Sequence, residues 1–245
     1  WKIKRNISEI SCLVTLRDKS GKILKRNFMS ISEPRSYVID LDYMLKNISN
    51  SDDFVGSLEV EFFSTRDMIF PFPALVLNYF NTEFNTCVHT LGRIYNDFED
   101  LNDNEKSIVP ETGFDIYSDS DLTSFFAFVN GSNVNDDGII NYTITNHKSE
   151  KFSGTFSIGK INAFETMFVK FSEYIPELTT ILEEKSGSIS LNHNFNGFFP
   201  RFLAGNIQKS FPSISFTHSY YDCTLSDTSS DYWNRINENY DDSSI

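Results

Sequence analysis

The sequence predicts an all-β protein with little helix, in which two β-sandwich units of the jelly-roll or immunoglobulin type lie in tandem. Many short segments alternate apolar and polar residues with the two-residue period of a strand, and Gly, Asn, Asp or Ser separate them. Segments with a helical period are scarce, which argues against an α/β sheet. Finally, several segments of the first half recur in the second half in the same order, which indicates an internal duplication.

The strand-like segments follow one another along both halves of the 245-residue chain. In the first half they are "CLVTLRD" from Cys12, "YVIDLD" from Tyr37, "SLEVEFF" from Ser57 and "ALVLNYF" from Ala74. In the second half they are "TSFFAFVNGS" from Thr123, "NYTITN" from Asn141, "FSGTFSI" from Phe152, "MFVKF" from Met167, "SISLNHNF" from Ser188 and "SISFTHSY" from Ser213. Helix is expected only in "DYMLKNI" and "EYIPELTTILEE", and Pro176 limits the second to a short helix or to a start after it.

The internal repeat has a nearly constant offset. Phe70 and Pro71 match Phe199 and Pro200 at an offset of 129, and His89 matches His218 at the same offset. Three further segments match: "GSLEVEF" from Gly56 with "GSISLNH" from Gly187, "SYVIDLDYML" from Ser36 with "TMFVKFSEYI" from Thr166, and "TLRDKSGK" from Thr15 with "TNHKSEK" from Thr145. The Phe-Pro pairs are therefore interpreted as structural repeat positions.

This repeat predicts the domain organisation. Residues 1–93 form the first sandwich unit, residues 94–122 an acidic connector, residues 123–222 the second unit and residues 223–245 an acidic tail rich in Asp and Ser. The strand from Thr123 has no counterpart after residue 1, so the first unit is expected to lack its opening strand and the chain to be a fragment of a larger protein. If the connector packs on the first unit, Phe98, Phe114, Ile116 and Tyr117 should be buried.

Charge and composition exclude several classes of partner. The formal net charge is −13, and the acidic residues concentrate in the connector and the tail. Because no basic stripe is present, no nucleic-acid partner is expected. No apolar run reaches the roughly 18 residues of a membrane-spanning helix, so no membrane insertion is expected. Three widely spaced cysteines fit neither a disulfide framework nor a metal motif, and no cofactor is predicted. Residue 1 is Trp and not Met, so no localisation is predicted from the start of the sequence.

The repeated histidines are the candidate site for chemistry. His89 and His218 could mark two equivalent sites or one composite site on a pseudo-twofold axis, and Cys87 and Asp222 are the candidate additional metal ligands. A zinc site needs three or four converging ligands. The competing interpretation is structural: each histidine ends a strand, donates to a backbone carbonyl near the Phe-Pro turn and holds two strands in register.

Aromatic residues near the second histidine suggest a different kind of site. Tyr220, Tyr221 and Phe198 could present flat faces to a sugar ring, although Phe beside Pro is also typical of a core residue at a sheet corner. The predicted function is a non-enzymatic β-sandwich binding or interaction module with a protein or glycan partner. The alternatives are a carbohydrate-binding module that uses loop aromatics and a metal-assisted hydrolase centred on His89 and His218. The sequence does not indicate an oligomeric state.

Overall fold

The computed structural model describes residues 10–33, 35–46, 48, 54–64, 75–80, 82–89, 111–195, 202–211, 213–218 and 220–221. Within these ranges the protein is all-β, with antiparallel sheets and short helices. In chain order the strands are β1 (Ile10–Asp18), β2 (Ile23–Ile31), β3 (Gly56–Ser64), β4 (Val76–Phe80), β5 (Asn85–His89), β6 (Glu111–Ile116), β7 (Leu122–Val129), β8 (Ile139–Thr145), β9 (Lys151–Ser157), β10 (Thr166–Lys170), β11 (Gly187–His193), β12 (Leu203–Gln208), β13 (Ser213–His218) and β14 (Tyr220–Tyr221). The helices are α1 (Leu41–Leu45), α2 (Phe171–Tyr174) and α3 (Leu178–Leu182).

The chain divides into two compact units. The first comprises Trp1–Pro71 with Cys223–Ile245, and the second comprises Phe72–Asp222. The β4–β5 hairpin and β6 therefore belong to the second unit, whereas the predicted borders lie at residues 93 and 122. The difference arises because β5 packs on β13 and β6 pairs with β11.

The first unit contains a three-stranded sheet in the order β2-β1-β3. Alternate residues of β1, from Ile10 through Cys12 and Val14 to Leu16, are buried on one face, where Met44 of α1 joins them. The predicted strand from Tyr37 is wrong. Residues 36–40 are irregular, and Asp40 caps α1 by accepting a hydrogen bond from the backbone N–H of Tyr43, 3.2 Å away.

The second unit has a sandwich-like core between two larger sheets. The five-stranded sheet has the order β14-β6-β11-β8-β9, and the four-stranded sheet has the order β10-β7-β12-β13. Aliphatic residues of the first sheet, such as Ile140 and Leu191, share one core with Phe126, Phe128 and Phe202 on the side of the second. Large aromatic side chains thus supply much of the buried apolar area.

The predicted connector contributes to that same core. Residues 111–116 form β6, and Phe114 and Ile116 are buried in the core of the second unit. Tyr117 is half-buried, and Phe98 lies outside the described residues. Where it is described, the connector therefore packs as a strand of the second unit.

Two hairpins, one in each unit, share one turn geometry. In β1–β2 the side-chain oxygen of Asp18 accepts hydrogen bonds from the N–H groups of Ser20 and Lys22, at 2.9 and 3.1 Å. In β8–β9 the side-chain oxygen of Asn146 accepts from Lys148 and Glu150, both at 3.0 Å. The first turn follows β1, which lies between β2 and β3 in its sheet. The second turn follows β8, which lies between β9 and β11 in its sheet. This correspondence supports the predicted duplication, which remains a prediction.

Candidate functional site

His89 and His218 lie in direct contact within the second unit. Each is the last residue of its strand, β5 and β13 respectively. Their Nε2 atoms are 3.0 Å apart, and the rings meet edge to face with centroids 4.5 Å apart. This distance fits a hydrogen bond in which the Nε2–H of one imidazole donates to the Nε2 lone pair of the other.

The contact follows from how β5 packs on β13. Side chains alternate along β13, so Ile214, Phe216 and His218 lie on one face of the strand. Phe216 meets Tyr79 of β4 edge to face, with ring centroids 4.7 Å apart. His218 is buried and His89 is exposed, so the pair lies where the hairpin meets solvent.

The two histidines do not hold equivalent positions in their hairpins. Four residues connect β4 to β5 and four connect β12 to β13. Aligning these connections matches Phe80 with Gln208 and places His89 on Thr217, one residue before His218. Because a one-residue shift moves a side chain to the other face of a strand, the sequence match at 129 is not a match in register.

The other predicted metal ligands do not complete a cluster in the described structure. Cys87 is an exposed free thiol on the same face of β5 as His89, opposite Asn78. Asp222 lies outside the described residues. Among the residues that the structure describes, no group of three or more His, Cys, Asp or Glu side chains could hold a metal ion. His89 and His218 together could supply two nitrogen ligands, and the metal prediction remains a prediction.

The predicted aromatic and repeat positions fall largely outside the description. Tyr220 and Tyr221 form β14, which pairs with Thr112 and Glu111 of β6, but their side chains are not described. The remaining predicted positions, Phe198, Phe70, Pro71, Phe199 and Pro200, lie outside the described residues.

His193 occupies the core of the second unit. Its ring stacks on Phe195 with centroids 4.4 Å apart, and its Nδ1 accepts a hydrogen bond from the Phe195 N–H at 3.3 Å. Burial lowers the pKa of His193 to about 4. The imidazole is therefore neutral at physiological pH.

A groove of about 390 Å³ lies between β6, β12 and β13 in the second unit. Its lining includes Asp115, Tyr117, Asn206, Ser215 and Thr217. Ser215 and Thr217 come from the face of β13 opposite to the one that meets the hairpin. Sequence reasoning missed this groove, although the alternation of hydroxyl and apolar residues in "SISFTH" is the signal of a strand with one polar face.

The outer side of the four-stranded sheet is apolar. Phe125 does not belong to the core between the sheets, yet it is only 1% exposed and stacks on Phe168 with centroids 4.7 Å apart. Phe168 itself is 45% exposed, and Val129 on the same side is 39% exposed. We call Phe125, Val129 and Phe168 the outer patch. The continuous apolar run "FFAFV" is its sequence signal, because such a run gives a strand two apolar faces.

The fold and these surfaces define an antiparallel all-β protein whose second unit is sandwich-like. None of the described helices is long and apolar enough to cross a membrane. No family model, no curated protein and no solved structure matches this chain.

Proposed function

We propose that the chain is a non-enzymatic β-sandwich interaction module that binds a protein partner through the outer side of the second unit. The observation that supports this proposal is the outer patch. An antiparallel sheet with one face in a core usually presents polar residues on its other face, whereas Val129 and Phe168 present apolar area to solvent there. Apolar area exposed on a sheet surface is typical of a binding site for another protein.

The β4–β5 hairpin adds apolar area to the second unit. Val76 is 69% exposed and Phe80 is 70% exposed, both on the face of β4 that is opposite to Tyr79 and its contact with Phe216. Within the described hairpin the only formal charge is that of Glu83. A surface with large apolar side chains and little charge suits the desolvated centre of a protein interface.

Site-specific photo-crosslinking tests this proposal. A photoreactive phenylalanine analogue replaces Phe168, and the matched control carries it in place of Val134, an exposed residue of the β7–β8 connection. In cells that express the protein, the analogue at position 168 should give a discrete crosslinked species, and F168K should compete less well than wild type for its formation. Equal crosslinking from both positions would contradict the proposal.

A glycan-binding module is the second candidate, and the groove favours it. Asn206, Ser215 and Thr217 offer neutral hydrogen-bonding groups, with Tyr117 as a neighbouring aromatic ring. Neutral donors and acceptors beside an aromatic ring can hold a sugar. A panel of neutral monosaccharides titrated into isotope-labelled protein would shift the resonances of these residues if the second candidate is correct. The same spectra would stay unchanged if it is not.

A further inference from the structure

We propose that the edge of β4 away from β5 binds an extended, uncharged, apolar segment of a protein partner as an additional antiparallel β-strand. This inference rests on the proposed function, because strand addition is one way in which an interaction module holds another protein. It names the kind of partner and the place where it binds.

The first observation is the correspondence between two hairpins of the second unit. Both β4–β5 and β12–β13 are antiparallel, and each has a connection of four residues. When the connections are aligned, β4 matches β12 at an offset of 128, and Asn78 falls on Asn206. β4 is therefore the counterpart of β12.

The pairing of β12 indicates what the corresponding edge of β4 can bind. The edge of β12 away from β13 pairs with β7 in an antiparallel register, with Ala204 opposite Phe126, Asn206 opposite Ser124 and Gln208 opposite Leu122. Within the part of the chain that the structure describes, β4 pairs with β5 alone. The proposed binding site is the edge of β4 that corresponds to the edge of β12 on which β7 pairs.

The same offset recurs elsewhere, so the hairpin correspondence is not isolated. The side-chain oxygens of Asp18 and Asn146 accept equivalent pairs of backbone hydrogen bonds and are also 128 residues apart. Three residues after Asp18 and Asn146, respectively, Gly21 and Ser149 have positive φ angles of 86° and 65°. Shared hydrogen bonds and shared backbone conformation at one offset indicate that the halves use the same local structures.

The chemistry of β4 differs from that of four other strands at sheet edges, whereas the edge strands β5, β13 and β14 likewise carry no Asp, Glu, Lys or Arg. Natural edge strands often carry charged residues that discourage pairing with other chains. Four described edge strands have them, namely β2 with Lys25 and Arg26, β3 with Glu59 and Glu61, β9 with Lys151, and β10 with Lys170. The sequence of β4 is "VLNYF", which carries no charge. Nothing in its side chains opposes the approach of a further strand.

The occupant should resemble β7. That strand, "LTSFFAFV", is uncharged and rich in aromatic residues, which favour the pleated conformation. The register of β7 on β12 predicts that the residue in the place of Ser124 lies opposite Asn78, and the residue in the place of Leu122 opposite Phe80. An uncharged strand also avoids desolvating a charge against Val76 and Phe80.

A synthetic peptide and the full-length chain test the proposal. The peptide carries the sequence of Leu122–Val129 with two lysines at each end for solubility, and hydrogen exchange of the protein is measured with and without it. Exchange should slow at alternate amides of β4, because in an antiparallel ladder alternate residues face the new strand. Unchanged exchange in β4, or equal slowing at the charged edges β2 and β9, would overturn the proposal. Slow exchange at the same amides of β4 in the protein without peptide would also overturn the proposal, because that edge would already be paired.

A crosslinking arm tests the register. Asn78→Cys is made in a Cys87→Ser background, because Cys87 lies opposite Asn78 and would otherwise react with the new thiol. The test peptide carries Ser124→Cys, and the control peptide carries Thr123→Cys. A one-residue shift turns the thiol of the control peptide to the other face of the strand. Disulfide formation should be several-fold faster with the first peptide, and equal rates would overturn the predicted register. Hydrogen exchange on the wild-type chain keeps the test decisive if the double variant does not fold.

The outcomes separate this inference from the proposed function. A crosslink at position 168 combined with no protection of β4 by the peptide would overturn strand addition alone. Protection of β4 without any specific crosslink at position 168 would support strand addition and remove the outer patch as the binding surface.

Discussion

At the scale of single residues, the second unit keeps a neutral base inside an aromatic cluster. His193 lies against Phe195 and Phe202, where a charged imidazolium would lose its hydration. Its pKa is about 4 because of burial, whereas in the unfolded chain it should have the usual value of about 6.5. Below pH 6.5 the unfolded state therefore binds a proton that the folded state does not.

His193→Asn should remove part of the acid sensitivity of the protein. As the pH falls from 6.5 to 4, the unfolded chain is protonated first, so wild type should lose about 3 kcal/mol of unfolding free energy from this residue alone. Asn keeps an acceptor for the Phe195 N–H but does not titrate. Urea denaturation at pH 7 and pH 4.5 measures the difference, and an equal loss in wild type and variant would contradict the assignment.

The histidine contact should appear as an energetic coupling. His218→Ala should destabilise the protein more than His89→Ala, because His218 is buried and His89 is exposed. A neutral hydrogen bond contributes about 1 kcal/mol, so the double variant should be less destabilised than the sum of the singles by about that amount. Denaturation of the four proteins at pH 8 completes the cycle, and additive effects would show that the contact is energetically silent.

Zinc titration tests the metal prediction with the same variants. Two histidine nitrogens are fewer ligands than structural zinc requires, so the described residues alone should bind Zn²⁺ weakly. Calorimetry with wild type, His89→Ala and Cys87→Ala measures this. Tight binding that both substitutions abolish would show that Cys87 joins the histidines and would favour the hydrolase alternative.

At the scale of elements, the two turns of similar geometry carry different residues at the position where φ is positive. Gly21 and Ser149 both adopt positive φ, a region that costs an L-residue about 1 kcal/mol and glycine much less. Ser149→Gly should therefore stabilise the protein slightly, whereas Gly21→Ser should destabilise it by up to about 1 kcal/mol. Thermal denaturation of both variants checks the opposite signs, and two effects of the same sign would show that the turns are not equivalent.

Several strands with a clear two-residue period were predictable from sequence, whereas the segment from Tyr37 and β6 were misassigned. The segment from Tyr37 alternates like a strand, but Asp40 within it caps α1 and ends the extended conformation. β6 was assigned to the connector because acidic residues surround it, although Phe114 and Ile116 alternate correctly for a buried strand face. The prediction gave more weight to the acidic residues around β6 than to its two-residue period. In the structure, burial of Phe114 and Ile116 places β6 in the core of the second unit.

The site was predictable only in part, for a geometric reason. The repeat identified His89 and His218 as related positions, and the structure brings them within 3.0 Å. Sequence alignment cannot determine on which face of a strand each ring lies, because that depends on the connections within the hairpins. The outer patch and the groove depend in turn on which strands become neighbours, and pairing partners far apart in sequence are not visible in local periodicity.

At the scale of the whole molecule, the halves of the predicted repeat and the compact units do not coincide. The repeat places β4–β5 in the first half of the chain, whereas the compact division places it with the second unit. Inside that unit, Val88 is buried where the hairpin packs, and Tyr79 contacts Phe216. Isolated two-stranded hairpins are marginal in water, so this packing should be what keeps β4–β5 folded.

Fragments of the chain distinguish the two divisions. Residues 72–222 should fold with a single cooperative transition, because this fragment keeps β6 and both sheets of its core. Residues 123–222 should be strongly destabilised, since they lack Phe114 and Ile116 from the core and the hydrogen bond from the Ser124 N–H to the Tyr117 carbonyl. The loss of each large buried side chain lowers the free energy of unfolding by about 2 to 5 kcal/mol.

An intermediate fragment, residues 111–222, restores β6 and omits the hairpin, so it separates the two contributions. Calorimetry should rank the three fragments with 72–222 the most stable and 123–222 the least. If 123–222 unfolds cooperatively at the same temperature as 72–222, the predicted border at residue 122 is the physical one and β6 is an accessory strand. If 111–222 matches 72–222, the hairpin is held by the sandwich without stabilising it, and its exposed apolar residues are then free to serve binding alone.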